Sequence, residues 1–556
     1  MPNRIRLLAT SDVHGTIYPY LYSDGSLQEQ GLARLSTLIE SLRDENTLLL
    51  DNGDTLEGTP LSFFHYHEEP KEIAPITKVM NEMGYDYVNV GNHDFNYGQA
   101  QLFKHLNHLH APCLTANVLY EDAPLGATYA VREIAGKKLA LFGITTTCTK
   151  DQEKKENIEN FTFLDAFEVA KKTVSHIKLM EKPDYIICLY HGGFERDLLE
   201  GYQTEPLNGE NIGYQLLKKL PGIDILISGH QHRSLCGELF STVYTQTAQN
   251  GRELACIDIY PDTGVIEPVL LKADTDSNPV IENLVQDTED KCQTWLDEPL
   301  GSTNINLEIT DEFDARLHKS QVVTFLNRIQ QSHTGAMLSS NALFSGATGF
   351  KKTITMRDLV STYVFPNTLV VKEMNGKLLR EYLEKCASYW SIRNDVICVS
   401  PNFEEPIPQH FNYDMVDGID YTIKVSNPIG KRIVELTYLG NEVQDEDLFT
   451  ICVNNYRASG GGNFTMMRDC PTIKEYPTGM VELLADYIMK YKSIDFEPVN
   501  NITVSPAKEM PLPSLLPVHP AAAFGGERGS ADPAGQGIRP GPGNRPTGRI
   551  GRGRTG

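Results

Sequence analysis

Five short motifs in this chain carry residue types that bind metal ions. Together they supply two carboxylates, four imidazoles and one amide oxygen, and no thiolate takes part. This mixture of oxygen and nitrogen ligands suits Mn, Zn, Fe or Co and is too rich in nitrogen for Ca²⁺ or Mg²⁺. Seven ligands exceed the roughly four of a single zinc site, so we expect two divalent metal ions that share a bridging carboxylate. In chain order the motifs are Asp12-Val-His14, Gly53-Asp54, Gly91-Asn92-His93-Asp94, His191-Gly-Gly and Gly229-His230-Gln-His232.

Each motif follows a short apolar run with the length of a buried strand. Loops that leave the carboxyl ends of strands in an α/β sheet converge on one crevice, so we expect the five motifs to meet in space. A lone Asp-x-His or Gly-Asn-His is more often an ordinary surface turn, but five in order, each at a strand end, favour a dinuclear site. The cluster His105-x-x-His108-x-His110 has no accompanying carboxylate or glycine and, like the other remaining histidines, is predicted to be solvated or structural. The strands are predicted at Ile5–Ala9, Leu48–Asp51, Tyr87–Val90, Tyr185–Leu189 and Ile225–Ile227.

Helical stretches separate these runs. Apolar residues recur at helical spacing in Leu32–Leu42, Ile76–Met83, Ala166–Met180 and Ile212–Leu220. Alternating strands and helices predict an α/β fold in which helices cover the sheets.

Composition shifts divide the chain of 556 residues. We predict a domain over residues 1–273 that carries the five motifs, an acidic interdomain linker over 274–300, and a second domain over 301–505. Residues 506–556 are rich in Pro, Gly and Arg and almost lack aliphatic side chains, so we predict a disordered tail.

The net charge of −23 argues against a nucleic-acid polymer as partner, and against a DNA nuclease in particular, because an acidic surface repels polyanions. No apolar run reaches the roughly 18 residues of a membrane-spanning helix, so no membrane partner is expected. The N-terminus lacks the pattern of a signal peptide, and the ten cysteines are scattered without a Cys-x-x-Cys pair. We therefore expect reduced thiols and a cytoplasmic protein. The oligomeric state is left open.

The order of the five motifs resembles the calcineurin-like metallophosphoesterase superfamily. Residues 5–500 resemble the bacterial 5′-nucleotidase family, and within it the 2′,3′-cyclic-nucleotide 2′-phosphodiesterase/3′-nucleotidases. The resemblance implies a layered αββα metallophosphoesterase domain followed by an α+β substrate-binding domain. It rests on the motifs and on three segments that begin at Gly91-Asn-His-Asp-Phe-Asn-Tyr-Gly, Phe411-Asn-Tyr-Asp-Met-Val-Asp-Gly and Asn454-Asn-Tyr-Arg-Ala-Ser-Gly-Gly.

The resemblance also implies a role for each ligand. One metal would be held by Asp12, His14, Asp54 and His232, and the other by Asp54, Asn92, His191 and His230, with Asp54 as the bridge. A hydroxide between the metals would attack phosphorus in line, and His93 would lie beside the scissile phosphate. In similar 5′-nucleotidases an Asp three positions after this histidine orients it, whereas this chain has Asn96 there and Asp94 next to the histidine.

For the substrate, the resemblance implies an aromatic clamp on the nucleobase by Phe411 and Tyr456, with Tyr413 as an alternative to Phe411. Gly460 and Gly461 would let the backbone approach the nucleoside. Similar 5′-nucleotidases carry an Asn-Gly-Gly-x-Arg segment, which reads Ser-Asn341-Ala-Leu-Phe here and lacks the Arg. The missing Arg fits the cyclic-phosphodiesterase/3′-nucleotidase branch better, and Asn341 stays a candidate for substrate binding.

The function expected is therefore metal-dependent hydrolysis of a small nucleotide, as a 2′,3′-cyclic-nucleotide phosphodiesterase or a 3′- or 5′-nucleotidase. Two alternatives remain open. A UDP-sugar or other nucleotide pyrophosphatase would use the same metal core, and a non-catalytic nucleotide-binding protein would bind without turnover.

Overall fold

Two β-sheets packed face to face form the centre of the N-terminal lobe, our name for residues 4–278. The computed structural model describes residues 4–205, 207–365, 367–405, 408–476 and 478–505. The first sheet has, in spatial order, the strands Val265–Lys272, Glu253–Tyr260, Ile5–Thr10, Thr47–Asp51 and Tyr87–Val88. The second has Leu235–Leu239, Thr242–Gln246, Ile225–Ser228, Tyr185–His191, Lys137–Thr145 and Ala130–Ile134. The strands that lead into the five motifs pair in parallel within each sheet.

Alternate residues of these strands face opposite layers. Leu7, Leu48, Ile187 and Ile225 belong to a core between the two sheets, whereas their neighbours, such as Leu8, turn outward to cores beneath the helices. Both faces of the central strands are therefore buried, which explains why they read as continuous apolar runs in the sequence.

Helices cover both outer faces, and the predicted layered αββα arrangement is confirmed. The observed helix Leu32–Leu42 has the predicted bounds, and so has Ala166–Met180, where the Asp165 side chain accepts the Glu168 N–H as an N-cap. The other helices of this lobe are Pro60–Glu68, Pro75–Met83, Gln99–His108, Thr149–Gln152 and Gly213–Lys219, with a 3₁₀ turn at His93–Phe95. A small sheet of Ala123–Pro124, Val118–Tyr120 and Phe161–Phe163 completes it.

The predicted linker contains an 18-residue helix, Pro279–Leu296, which packs against three helices of the N-terminal lobe. Its Glu289 carboxylate accepts hydrogen bonds from the hydroxyls of Tyr20 (2.5 Å) and Tyr22 (2.7 Å). The helix thus forms part of the fold rather than a spacer, while the boundaries at 273 and 300 stay predictions.

The C-terminal lobe, our name for residues 299–505, is built on a five-stranded sheet and a four-stranded sheet. In spatial order these are Asp414–Asp417, Leu338–Ala342, Leu448–Asn454, Leu369–Asn375 and Thr472–Tyr476, and then Asn441–Glu442, Ile433–Tyr438, Asp420–Lys424 and Ile502–Ser505. The short strands are Pro299–Thr303, Leu307–Glu308, Gly349–Phe350, Thr353–Thr355, Trp390–Arg393, Val396–Val399 and Ser493–Ile494. The helices are Glu312–Leu317, Gln321–Thr334, Met356–Thr362, Gly376–Ala387, Asn455–Ala458, Thr465–Asp469 and Met480–Tyr491, with 3₁₀ turns at Pro401–Phe403, His410–Asn412 and Gly461–Asn463. This mixture agrees with the expected α+β domain.

Three sequence expectations concern the chain as a whole. The predicted tail, residues 506–556, lies outside the described residues. None of the helices in the described ranges is long and apolar enough to cross a lipid bilayer. All ten cysteines are free thiols, and most of them are buried, including Cys188 in the strand Tyr185–His191.

A buried ion pair ties the C-terminal lobe together. Lys319 and Asp417 are both buried and bonded to each other. Asp417 also accepts from Asn327 Nδ2 (2.9 Å), and Lys319 donates to Asn501 Oδ1 (2.5 Å). Through these bonds the pair joins the helix Gln321–Thr334, the edge strand Asp414–Asp417 and the residue that precedes the strand Ile502–Ser505.

We expect Lys319→Met to lower the free energy of unfolding by about 3–5 kcal/mol, because it leaves the Asp417 carboxylate buried without its cation. Denaturant unfolding, followed by tryptophan fluorescence, measures the change. The exposed Lys377→Met is the matched control and should stay within about 0.5 kcal/mol of wild type. Equal stability of Lys319→Met and the control would contradict this view of the ion pair.

Candidate active site

The chemistry-bearing residues gather at the carboxyl ends of the parallel strands. Asp12 and Asp54 follow strands of the first sheet, while His191 ends a strand of the second and His230 follows its neighbour. Five residues here adopt the left-handed backbone region, which costs a non-glycine residue about 1–3 kcal/mol and is tolerated mainly where function needs it. They are Asp12 (φ 55°), His14 (φ 51°), Asp54 (φ 55°), His230 (φ 70°) and His232 (φ 57°).

Asp12, His14 and His232 form the first of two ligand groups. One ligand atom from each lies within 4.8 Å of the others. The Nε2 atoms of His14 and His232 are 3.0 Å apart, and Asp12 Oδ1 lies 3.5 Å from His232 Nε2. Two imidazole nitrogens and a carboxylate oxygen thus point at one position, as ligands of one cation do.

Asp54, His191 and His230 form the second group, again within 4.8 Å. Asp54 Oδ2 and His191 Nε2 are buried and lie 3.1 Å apart, and apart from each other neither atom has a hydrogen-bond partner. Asn92 Oδ1 joins them at 2.9 Å from His230 Nδ1. Buried polar atoms are rarely left unpaired, so these orphaned atoms fit a site for a divalent cation.

Hydrogen bonds behind the imidazoles fix which nitrogen faces the centre. His14 Nδ1 donates to the Glu57 carbonyl oxygen (2.9 Å) and His191 Nδ1 to that of Asn52 (2.8 Å). A carbonyl oxygen only accepts, so in the neutral form of each ring Nε2 carries the lone pair. On His230 the outer nitrogen is Nε2, which lies 3.2 Å from Glu210 Oε1. Such outer partners orient metal-binding histidines and raise their basicity.

Asp94 holds the loop that presents Asp54. Its carboxylate accepts the backbone N–H groups of Asp54 (3.0 Å), Thr55 (2.8 Å), Leu56 (3.0 Å) and Gly91 (2.8 Å). The Asp94 side chain is therefore directed at the backbone of this loop, which it shapes. Burial would raise the pKa of Asp54, but the neighbouring His191 and His93 hold it well below its usual range.

His93 has two partners on one side of its ring. Its Nδ1 donates to Asn96 Oδ1 (2.7 Å), and Glu57 Oε2 lies 3.6 Å from the same nitrogen. Burial lowers the pKa of His93, but the carboxylates of Asp54 and Glu57 outweigh it and raise that pKa to about 8. Sequence reasoning missed Glu57 and also Glu210, because neither belongs to a motif and both reach the site only through loop geometry.

Phe411 and Tyr456 meet in the C-terminal lobe. Their ring centroids are 6.2 Å apart with an interplanar angle of 70°, so the rings stand edge to face rather than parallel. Gly461 lies against the Tyr456 ring, since a Cβ at this position would be 2.5 Å from a ring carbon. Burial and the charge of Glu210 both raise the pKa of Tyr456. Gly460, with φ 94°, turns the chain between Tyr456 and Gly461.

Two other substrate candidates lie away from this place. Asn341 is buried, and its amide is engaged by Gln330 Nε2 (3.0 Å) and Asn327 Oδ1 (2.9 Å) inside the C-terminal core. Tyr413 is fully buried and stacked on Tyr389 at 4.6 Å. The structure therefore does not bring either side chain to the aromatic pair.

The comparisons with known proteins agree with this geometry. Residues 5–234 match the calcineurin-like phosphoesterase family and residues 300–469 match the 5′-nucleotidase C-terminal domain. The crystal structure of a putative 5′-nucleotidase from Staphylococcus aureus is 33% identical, with a TM-score of 0.84 over 90% of this chain and 99% of that one.

Two curated relatives extend the comparison. The 2′,3′-cyclic-nucleotide 2′-phosphodiesterase/3′-nucleotidase of Salmonella typhimurium is 25% identical over 82% of this chain and 81% of its own length. The trifunctional nucleotide phosphoesterase protein YfkN of Bacillus subtilis is 26% identical over 90% of this chain, which spans only 39% of that longer protein. The chain belongs to the 5′-nucleotidase family, in which a calcineurin-like phosphoesterase domain precedes a 5′-nucleotidase C-terminal domain.

Proposed function

We propose that this protein hydrolyses phosphoester bonds of small nucleotides with two divalent metal ions. The observation that carries the proposal is the pair of orphaned buried atoms, Asp54 Oδ2 and His191 Nε2, at the junction of the two ligand groups. The relatives named above are nucleotide phosphoesterases, and this chain retains every ligand type that such chemistry needs.

Seven residues would hold the metals. We assign Asp12, His14, Asp54 and His232 to one ion and Asp54, Asn92, His191 and His230 to the other. His191 Nε2 lies 4.0 Å from Asp12 Oδ1, so the two groups are adjacent enough for one carboxylate to serve both. The donor set favours Mn, Zn, Fe or Co.

Divalent ions at these positions supply Lewis-acid activation of water and neutralise charge on the phosphoryl oxygens. The chain itself supplies the proton for the leaving group. Because Nδ1–H of His93 is committed to Asn96, we assign Nε2 of His93 to carrying the proton that the departing oxygen takes up. General acids of this kind typically contribute about 10²–10⁴-fold to the rate.

Phe411 and Tyr456 would bind the base of the nucleotide. Their rings meet in the C-terminal lobe with centroids 6.2 Å apart. Stacking tolerates any base, since every base has a π face. We therefore expect broad base tolerance, with selectivity expressed at the position of the ester.

A substrate panel tests the proposed function. Manganese- or zinc-loaded protein should release phosphate or nucleoside from at least one of the 2′,3′-cyclic, 3′- and 5′-nucleotides, and chelation by EDTA should abolish the release. UDP-glucose and plasmid DNA, offered in parallel, should be poor substrates. Preferred cleavage of UDP-glucose would indicate the pyrophosphatase alternative, and tight nucleotide binding without turnover under either metal would indicate a binding protein.

The second metal position is tested by His191→Ala. Loss of one of the second metal's ligands should lower the bound metal by about one ion per chain and reduce kcat at least about 100-fold. Elemental analysis of the purified protein and steady-state kinetics measure both. The exposed His108→Ala is the matched control, because it removes the same ring outside the site. Full metal content and wild-type kcat in His191→Ala would refute the assignment.

The aromatic clamp is tested by Gly461→Ala. A Cβ at 2.5 Å from a Tyr456 ring carbon must displace the ring, so we expect KM for the nucleotide to rise roughly tenfold, the scale of one lost stacking contact, with little change in kcat. Gly479→Ala is the control, since its Cβ would meet only one atom, at 4.0 Å. An unchanged KM in Gly461→Ala would place the base elsewhere.

A further inference from the structure

We infer that Glu153 is a positioning residue for His93 and acts through Asn96. The inference rests on the proposed function, in which His93 faces the scissile phosphate. It concerns a residue that belongs to none of the sequence motifs and lies 57 positions after Asn96 in the chain.

The side chain of Asn96 lies between His93 and Glu153. Its Oδ1 accepts from His93 Nδ1 at 2.7 Å, and its Nδ2 donates to Glu153 Oε2. Glu153 is held at the other oxygen, where Oε1 accepts from Asn157 Nδ2 (3.0 Å) and from the Lys154 backbone N–H (2.6 Å). Asn157 Nδ2 also donates to the Asn96 carbonyl oxygen at 2.9 Å. The Glu153 carboxylate is thus held in place by bonds that do not involve the Asn96 side chain.

An amide needs such a partner because it can present either of its ends. An aspartate at position 96 would offer only oxygens to His93, but an asparagine can turn either its oxygen or its NH₂ group toward the ring. The Glu153 carboxylate only accepts, so it draws the NH₂ group to itself and leaves Oδ1 for His93. Nδ1 of His93 must then carry the proton, and Nε2 is the nitrogen left for the substrate.

The surrounding charges explain why an amide suits this position. Glu57 Oε2 already lies 3.6 Å from His93 Nδ1, and Glu153 lies on the far side of Asn96. An aspartate at 96 would be a third carboxylate near His93, after Glu57 and Glu153, and it would lie at hydrogen-bond distance from Glu153. Like charges that close repel strongly where burial reduces screening. Asn96 and Glu153 therefore act as one unit that replaces a single aspartate.

A double-mutant cycle tests this unit. Asn96→Asp alone should lower kcat at least about tenfold, because its carboxylate faces Glu153 without a donor. The double variant Asn96→Asp/Glu153→Gln should recover to within about threefold of wild type, because the amide introduced at position 153 can donate to the new carboxylate. Glu153→Leu, which offers no acceptor, should lose about tenfold or more. The kinetics are measured on the nucleotide that wild-type protein turns over fastest and on p-nitrophenyl phosphate.

p-Nitrophenyl phosphate distinguishes a loss of His93 positioning from general damage to the fold. A nitrophenolate leaves with little help from an acid, so losses on p-nitrophenyl phosphate should be several-fold smaller than losses on the nucleotide. Glu156→Gln, an exposed neighbour, is the matched control and should behave as wild type. Metal content and thermal midpoint are checked for every variant.

A second readout does not depend on turnover. In zinc-loaded protein labelled with ¹⁵N-histidine, at a pH where His93 is neutral, long-range NMR correlations should report the Nδ1–H tautomer in wild type and mixed tautomers in Glu153→Leu. The inference is overturned if the double variant is no more active than Asn96→Asp, or if Glu153→Leu keeps the wild-type tautomer and rate. A wild-type protein that hydrolyses no nucleotide would instead overturn the proposed function and leave the tautomer measurement to decide this inference.

Discussion

The buried carboxylate of Asp54 is the group on which the rest of the site depends. The imidazoles of His191 and His93 lower its pKa, and one of its oxygens has no hydrogen-bond partner. Its other oxygen accepts the His93 backbone N–H at 2.7 Å, so the carboxylate also sets where the His93 turn begins. A buried carboxylate is unstable unless cations or hydrogen-bond donors compensate its charge. The residues around Asp54 supply the positive charge and the hydrogen-bond donors that its carboxylate needs.

The fold accepts strained backbone at two residues in order to place the Asp54 carboxylate and its neighbours. Asp54 and Asp12 both adopt the left-handed backbone conformation. The Asp94 carboxylate, which accepts four backbone N–H groups, stabilises the loop of Asp54. The Asp12 carboxylate accepts the His230 backbone N–H at 2.9 Å. Behind them, Asn52 and Asn89 connect the two sheets, since Asn52 Nδ2 donates to the Tyr190 carbonyl (3.0 Å) and Asn89 Nδ2 to that of Ile144 (2.9 Å). These asparagines hold the ends of strands from different sheets at a constant separation.

The convergence of the seven candidate ligand residues could be predicted from sequence, because strand order alone brings the ends of parallel strands together. Glu57, Glu153 and Glu210 were not, because their positions depend on loop conformations that carry no periodic pattern. Asn341 was expected near the substrate from its matching segment, yet strand pairing buries it against Gln330. The tilt of Phe411 against Tyr456 is a matter of side-chain packing, to which residue types give no guide.

The short helix Thr149–Gln152 touches more of the site than its length suggests. The Gln152 carbonyl accepts from Asn455 Nδ2 of the C-terminal lobe (3.1 Å), while its own side-chain amide donates to Glu210 (3.1 Å), and the next residue bonds Asn96. One turn of backbone is therefore shared by the C-terminal lobe and by the outer partners of two histidines. An excised N-terminal lobe would keep all seven candidate ligands but lose the contact with Asn455, so a complete set of ligands would not by itself preserve this arrangement.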